Sequence, residues 1–216
     1  PEGRAAAWAA NAQGPALLAK VCAEHGITLV HVSSDYVFDG TREEHDEDEP
    51  FSPLGVYGQT KAAGDIAVGN CPRHYIVRSS WVYTARPDDL LGRALLASAQ
   101  GKTVPVPANQ FACPTSVDTF ARFVIAAMES DEFGTFHAAC TGVTSRFEFF
   151  ERAFALAGQP TGNLRGTANP WQGYRIELDD MMARLTGVYE FPWWEDDLAA
   201  FAAEHDLAAL ARDTQE

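Results

Sequence analysis

The sequence has little cysteine and no long hydrophobic segment. Its 216 residues include 4 Cys, widely spaced and without a Cys-x-x-Cys pair. A disulfide framework is therefore not expected, and neither is a zinc site of the usual spacing. No apolar run approaches the roughly 18 residues of a membrane span, and the first residues lack the apolar core of a secretory signal. We expect a soluble, cytoplasmic protein with reduced thiols that does not bind a membrane.

Positive charge is also scarce. The chain has 16 Lys+Arg against 30 Asp+Glu, for a net charge of -14. This balance argues against DNA, RNA or another polyanion as a partner. It leaves room for a small anionic ligand, because a helix N-terminus or a few arginines can hold phosphate locally. We interpret the acidic run at 43–49 as a solvated loop, since like-charged runs usually stay in water.

The apolar pattern alternates between helical periodicity and short β-branched runs. It predicts strands at 28–33, 74–78, 103–106 and 134–138. It predicts helices at 4–25, 57–68, 89–100, 116–129, 146–157, 178–185 and 195–211, with a loop-rich stretch at 158–176. Helices that alternate with buried strands indicate an α/β protein with a parallel sheet and right-handed crossovers. A dinucleotide-binding sheet usually opens with a glycine-rich turn, and this chain has no such turn.

Three side chains form a plausible proton-transfer set. Tyr57 and Lys61 are four residues apart on a predicted helix and so share one face. Ser34 ends the first strand, and ligands of open α/β sheets bind beyond the carboxyl ends of strands. An ammonium near a phenol lowers its pKa, while a serine hydroxyl can polarise a carbonyl group. Because no side chain supplies a hydride, a reduction at this site would require a nicotinamide cofactor.

Longer segments around these residues resemble a known family. The segments are VSSDYVFDG at 32–40, PLGVYGQTK at 53–61, IVRSSWVY at 76–83 and QFACPTS at 110–116. They are similar to motifs of the extended short-chain dehydrogenase/reductase superfamily and, within it, of the dTDP-4-dehydrorhamnose reductase family. The resemblance extends over nearly the whole chain, with the four motifs in order.

The resemblance implies a fold class and a domain organisation. The expected fold is α/β: a Rossmann-like doubly wound parallel sheet, without its N-terminal strands, and a small C-terminal substrate lobe. Residues 1–80 and 116–140 would form the C-terminal part of the dinucleotide-binding domain. Residues 81–115 and 141–216 would form most of the substrate-binding lobe.

The resemblance also implies an activity, in which NADPH or NADH reduces the C4 keto group of dTDP-4-dehydrorhamnose to give dTDP-L-rhamnose. By the family pattern, Tyr57 is the acid and Ser34 orients the keto group. Lys61 lowers the pKa of Tyr57 and binds the nicotinamide ribose. We expect Ser33 to contact the cofactor together with Tyr57 and Lys61.

Four further residues match substrate-side positions of the family. Asp35, Tyr36 and Trp81 match positions that face the sugar. Asn11 matches a helix asparagine that supports a proton-relay water, and we group it with these residues. Family members often pair as homodimers and some use Mg²⁺, so a homodimer is possible, while the sequence itself supports no metal site. Arg78 is expected to be a structural ion-pair partner.

Other functions on the same fold remain open. A dehydratase of this branch carries Asp-Glu after the strand-end hydroxyl, whereas Asp35-Tyr36 follows Ser34 here, so one carboxylate of the acid/base pair is missing. An epimerase shares the Ser, Tyr and Lys set and is harder to exclude. A regulatory subunit like that of methionine adenosyltransferase, which resembles these reductases, would use the fold without catalysis.

The missing glycine-rich turn leads to a binding prediction. By the family pattern, this turn and the residue that selects NAD or NADP precede Pro1. If the molecule begins at Pro1, we expect the 216-residue chain alone to bind no dinucleotide, because the helix N-terminus that would hold the pyrophosphate is absent. Calorimetric titration with NADPH tests this, and saturable heats would contradict it.

Overall fold

A computed structural model describes residues 2–168 and 173–211 of the chain. The helices are α1 Glu2–Trp8, α2 Gly14–His25, α3 Val56–Val68, α4 Leu90–Ala99, α5 Val117–Ser130, α6 Arg146–Leu156, α7 Met181–Thr186, α8 Trp194–Glu204 and α9 Leu207–Leu210. The strands are β1 Leu29–Ser34, β2 His74–Ser79, β3 Val82–Tyr83, β4 Val104–Pro107, β5 Gln110–Ala112, β6 Thr115–Ser116, β7 Gly134–His137, β8 Thr144–Ser145, β9 Leu164–Thr167 and β10 Tyr174–Arg175. Within the described residues, no helix is long and apolar enough to cross a membrane.

The residues cluster into two compact units. The first contains the chain up to Ser80 together with Ala121–Ala139 and Leu178–Glu190. The second contains Trp81–Phe120, Cys140–Glu177 and the described residues from Phe191 onward. Which functional part each unit represents stays a prediction.

A parallel sheet organises the first unit. Its strand order is β1-β2-β7, and Ser34 at the end of β1 lies opposite Ser79 of β2. Strand β2 is buried along almost its whole length, as expected for a central strand of a parallel sheet. The carboxyl ends of β1 and β2 therefore lie side by side, where a ligand site of an α/β sheet is expected.

The first predicted helix, 4–25, contains an unpredicted π-helical turn. The backbone N–H of Gly14 donates to the carbonyl of Ala9, five residues earlier, and the π turn spans Ala9–Gln13. Helix α2 then continues to His25 and ends at Gly26, whose φ of 65° lies in the left-handed region. This conformation suits glycine at a helix end, which explains why α2 ends there.

The acidic run at 43–49 is not fully solvated, so that prediction is wrong in part. Glu47 is buried, and its Oε1 accepts hydrogen bonds from the backbone N–H groups of His137 at 2.9 Å and Met182 at 3.3 Å. Burial raises the pKa of Glu47 to about 7. His45, in the same run, is buried against the ring of Phe38 at 4.8 Å between centroids. The acidic run packs against the first unit because backbone N–H groups there donate to the Glu47 carboxylate.

Arg78 forms the predicted structural ion pair. Its Nε lies 2.9 Å from Oδ2 of Asp65 on α3, and both side chains are buried. A second guanidinium nitrogen, Nη1, donates to the backbone carbonyl of Glu47 at 3.3 Å. Removing either partner of such a pair would leave a buried charge without compensation. The pair therefore ties α3 to the central strand β2.

The second unit contains more strand than the sequence analysis expected. Strand β9 lies in the supposed loop 158–176 and pairs in parallel with β4 over all four residues. Strand β10 pairs with β5 in the same way, while residues 169–172 of that stretch lie outside the described residues. The helix predicted at 195–211 is divided into α8 and α9, because the Asp206 side chain accepts from the N–H of Ala209 and begins a new helix.

The buried Asp197 carboxylate accepts several hydrogen bonds in the second unit. It accepts from Tyr83 Oη at 2.8 Å, Ser116 N at 2.7 Å and Oγ at 2.8 Å, and Thr119 Oγ1 at 2.5 Å. Burial and this carboxylate raise the pKa of Tyr83. Only a carboxylate can accept from so many donors at once, since it presents two oxygens and no proton of its own.

We expect Asp197→Asn to destabilise the protein by on the order of 3 kcal/mol. The amide replaces one acceptor oxygen with an NH₂ group that faces other donors. Urea unfolding measures the change. Asp196→Asn is the matched control, because Asp196 is the exposed neighbour on the same helix, and it should change the free energy of unfolding by less than about 0.5 kcal/mol. Equal effects of the two substitutions would contradict the role of Asp197.

Candidate active site

Ser34 lies where β1 ends and a short 3-10 turn, Asp35–Val37, begins. The Ser34 Oγ accepts from the N–H of Tyr36 at 3.3 Å and donates to Oδ1 of Asp35 at 2.8 Å. The side chain is largely buried. The hydroxyl is therefore held in place by local backbone geometry, as the N-cap of this turn.

Tyr57 lies in the first turn of α3 and meets Ser34. Its side chain is 49 % exposed, and its ring packs edge to face against Tyr36 at 5.8 Å. Burial raises the pKa of Tyr57, a hydrogen bond with Ser34 lowers it, and the negative charge of Asp35 raises it further. The net direction is upward, opposite to the lowering that the sequence analysis expected.

Lys61 lies one turn after Tyr57 and faces the same strand. Its Nζ donates to the carbonyl of Val32 at 2.7 Å. Burial lowers the pKa of Lys61, while the negative charge of Asp65 raises it. The structure thus gathers Ser34, Tyr57 and Lys61 around the end of β1. The Lys61 ammonium is held by its hydrogen bond to the backbone carbonyl of Val32. At Tyr57, burial and the charge of Asp35 together raise the pKa by more than the hydrogen bond with Ser34 lowers it.

Asn11 reaches α3 from the π turn. Its Nδ2 donates to Oγ1 of Thr60 at 3.1 Å, and this hydroxyl donates to the backbone carbonyl of Tyr57 at 2.8 Å. Helix α3 comes so close to the π turn that a Cβ at Gly64 would lie 2.2 Å from the Asn11 carbonyl oxygen. Asn11 therefore anchors the segment that carries Tyr57.

Ser33 and Asp35 differ in how their polar atoms are satisfied. The Ser33 Oγ is buried without a hydrogen-bond partner. Asp35 is 2 % exposed, and its Oδ2 also accepts from Ser80 Oγ at 2.7 Å. The Asp35 carboxylate is thus buried and engaged by two serine hydroxyls, and its position facing the sugar stays a prediction.

These side chains fit the ribose end of a nicotinamide cofactor. The Ser33 hydroxyl is an unpartnered polar group beside the end of β1. The Lys61 ammonium has three protons, of which the Val32 carbonyl takes one. Ribose hydroxyls both donate and accept, so they match this pair of groups.

Trp81 lies in the second unit in a strained conformation. Its φ is 40°, which is unusual for a residue other than glycine. The indole Nε1 donates to Tyr174 Oη at 2.8 Å, and the Arg146 guanidinium lies 4.1 Å above the ring. A cavity of about 220 Å³ borders Arg146, with Arg93 on its wall. Sequence reasoning missed Arg146 and Tyr174, because their link to Trp81 depends on contacts distant in sequence.

A group with metal-ligand chemistry occurs in the second unit. Asp118, Glu204 and His205 bring their ligand atoms within 4.8 Å of one another, the one such group among the described residues. The Nε2 of His205 lies 2.6 Å from Oδ2 of Asp118. An ordinary histidine–carboxylate pair accounts for this arrangement, so no metal is inferred from it.

Comparison with known proteins identifies the family. The model of the RmlD substrate binding domain matches residues 2–206. The chain belongs to this family. The match includes both units and all the candidate site residues, so the predicted family is confirmed.

The relatives of the chain include several reductases. The dTDP-4-dehydrorhamnose reductase of Sinorhizobium fredii is 33% identical over 72% of this chain and 56% of that protein. The enzyme of the same name from Mycobacterium tuberculosis strain H37Rv is 33% identical over 96% of this chain and 73% of that protein. The chain thus spans about half to three quarters of the length of these two relatives.

Solved structures support the fold class. The dTDP-4-dehydrorhamnose reductase of Bacillus anthracis, crystallised in complex with NADP, is 28% identical with a TM-score of 0.87, covering 94% of this chain and 75% of that chain. The dTDP-glucose 4,6-dehydratase of the same organism has a TM-score of 0.78 at 18% identity, covering 91% of this chain and 67% of that chain, and shows a shared fold alone. The predicted α/β class with Rossmann-type similarity is confirmed.

Gly58 allows α3 to pack directly on the turn that carries Tyr36. A Cβ at this position would lie 2.0 Å from the Tyr36 carbonyl oxygen. We expect Gly58→Ala to cost about 1–3 kcal/mol, since backbone must move to accept it, and to change the near-ultraviolet circular dichroism of the adjacent tyrosines. Gly55→Ala, at a position with open space, should cost less than about 1 kcal/mol. Equal losses in urea unfolding would contradict the close approach.

Proposed function

We propose that the protein carrying this chain reduces the C4 keto group of dTDP-4-dehydrorhamnose with NAD(P)H, giving dTDP-L-rhamnose. The observation that carries the proposal is the convergence of Ser34, Tyr57 and Lys61 at the end of β1. It occurs in a chain of the RmlD substrate binding domain family. The names of the relatives support the substrate, and the NADP bound by the Bacillus anthracis reductase supports the cofactor.

The side chains support a reduction in which Tyr57 is the general acid. When bound, the reduced nicotinamide supplies the hydride to C4. As negative charge develops on the keto oxygen, Tyr57 delivers its proton to that atom. A raised pKa keeps the phenol protonated at neutral pH, which suits a group that must donate. Lys61 and Ser33 are proposed to hold the ribose, together with Tyr57.

The roles of the substrate-side residues are also proposals. Tyr36 is proposed to face the sugar, because its ring packs against that of Tyr57. Trp81, in the second unit, is also proposed to face the sugar. The Arg146 guanidinium and the Tyr174 hydroxyl hold its ring in place. Asn11 is proposed to support proton supply through the segment that it anchors. A homodimer and a cytoplasmic location stay predictions from the sequence, and Mg²⁺ stays without support.

Two other functions make different predictions for cofactor use. An epimerase returns the hydride to its sugar, so it would show no net consumption of reduced cofactor. A regulatory subunit would show no turnover with or without Tyr57. The similarity to a Bacillus cereus UDP-glucuronic acid 4-epimerase, at 18% identity, supports only the shared fold.

In the protein that carries this chain, we expect Tyr57→Phe to lower kcat for NADPH oxidation with dTDP-4-dehydrorhamnose by roughly 10²-fold or more, with little change in substrate affinity. The substitution removes the proton donor and keeps the ring. The decrease in reduced-nicotinamide absorbance measures turnover. Tyr75→Phe is the control, because Tyr75 lies near the amino end of β2, opposite Val30 of β1, and it should retain activity. Full activity of Tyr57→Phe would overturn the assigned role, and sugar conversion without cofactor consumption would favour an epimerase.

A further inference from the structure

The Asp35 carboxylate connects two strand ends beneath the catalytic residues. Oδ1 accepts from Ser34 at the end of β1, at 2.8 Å, and Oδ2 accepts from Ser80 just after β2, at 2.7 Å. Asp35 and Ser80 are only 2 % and 1 % exposed. Such burial of a carboxylate is costly unless its oxygens are hydrogen-bonded. The arrangement therefore fixes both the position of Asp35 and the direction of the Ser34 hydroxyl.

We propose that Asp35 is a positioning residue, which acts through Ser34 to keep Tyr57 as the proton donor of the site. This inference deepens the proposed function, on which it rests for its catalytic meaning. It assigns the carboxylate a role toward the hydroxyls of the protein and not toward the sugar.

Counting protons shows how Asp35 acts. A serine hydroxyl has one proton and an ionised carboxylate has none, so Asp35 can only accept from Ser34. While Ser34 donates its proton to Asp35, that proton is not available to Tyr57, and the hydrogen bond by which Ser34 lowers the pKa of Tyr57 is weakened. A phenolate would need the same Ser34 proton that Asp35 holds. The two acceptors therefore compete, and the competition favours the neutral phenol.

The electrostatic surroundings act in the same direction. From the turn after β1, Asp35 and Tyr36 face the first turn of α3, and α3 itself contributes Lys61 and then Asp65. The charge of Asp35 raises the pKa of Tyr57, whereas that of Asp65 acts on Lys61. Asn11 and Thr60, from the π turn and α3, are neutral. Among these groups, we therefore expect removal of the Asp35 charge to change the pKa of Tyr57 most directly.

The experiment follows the ionisation of Tyr57 in the full chain by NMR, with ¹³C at the Cζ atom of tyrosine. Tyr57→Phe identifies the resonance. Asp35→Asn removes the charge and keeps the size of the side chain. Because the amide oxygen can accept from only one of the two serines, Asp35→Asn/Ser80→Ala is prepared as well. Ser80→Ala alone keeps the carboxylate and its bond to Ser34. Amide spectra at each pH verify that every variant remains folded.

We expect Tyr57 to titrate at lower pH in both Asp35→Asn variants. In Ser80→Ala it should titrate at the parental pH or higher, because the carboxylate then has one donor fewer and competes more strongly for the Ser34 proton. An unchanged Tyr57 titration in a folded Asp35→Asn variant would overturn the proposal. If neither Asp35 variant folds, a downward shift in Ser80→Ala would overturn it, and an upward shift would support it. The readout needs neither cofactor nor turnover, so its outcome is independent of whether the proposed reduction is correct.

Discussion

The close approach of α3 to neighbouring backbone is the constraint on which the first unit depends. At Gly58 and Gly64 the helix meets the carbonyl oxygens of Tyr36 and Asn11 at distances that leave no space for a Cβ atom. This approach places Tyr57 beside Ser34 and lets Lys61 reach the Val32 carbonyl. A helix one side chain farther away would separate the phenol from the strand end. The glycines are thus part of the site geometry although they have no reactive atoms.

Several buried Asp and Glu side chains have a structural role in this negatively charged protein. Asp65 pairs with Arg78, Glu47 accepts two backbone N–H groups, and Asp197 accepts four donors. Asp35 belongs to the same class, since its two oxygens join the ends of β1 and β2. Hydrogen bonds offset part of the cost of removing these carboxyl groups from water, and at Glu47 burial still raises the pKa. Part of the negative charge of the chain therefore lies in its interior.

The elements that were predicted correctly depend on local signals. The spacing of Tyr57 and Lys61 follows from helical periodicity, and Ser34 could be located because it ends an apolar, β-branched run. The buried hydrogen bonds of Asp35 were not predicted, because its second partner, Ser80, lies 45 residues away and belongs to another strand end. Strand β9 escaped prediction for a similar reason: it is mostly exposed, and its pairing with β4 defines it. The capping signal of Asp206 was present in the sequence, but the apolar pattern around it masked the helix break.

The π turn at Ala9–Gln13 has a consequence for how the chain tolerates insertions and deletions. Such a turn is equivalent to one extra residue inserted into an α-helix. Five residues in a π turn rotate the chain through about the same angle as four α-helical residues, so the extra residue is accommodated without turning α1 relative to α2. Deleting one residue there would restore ordinary helical geometry and leave Trp8 on the same face. The deletion would instead alter the turn from which Asn11 reaches Thr60.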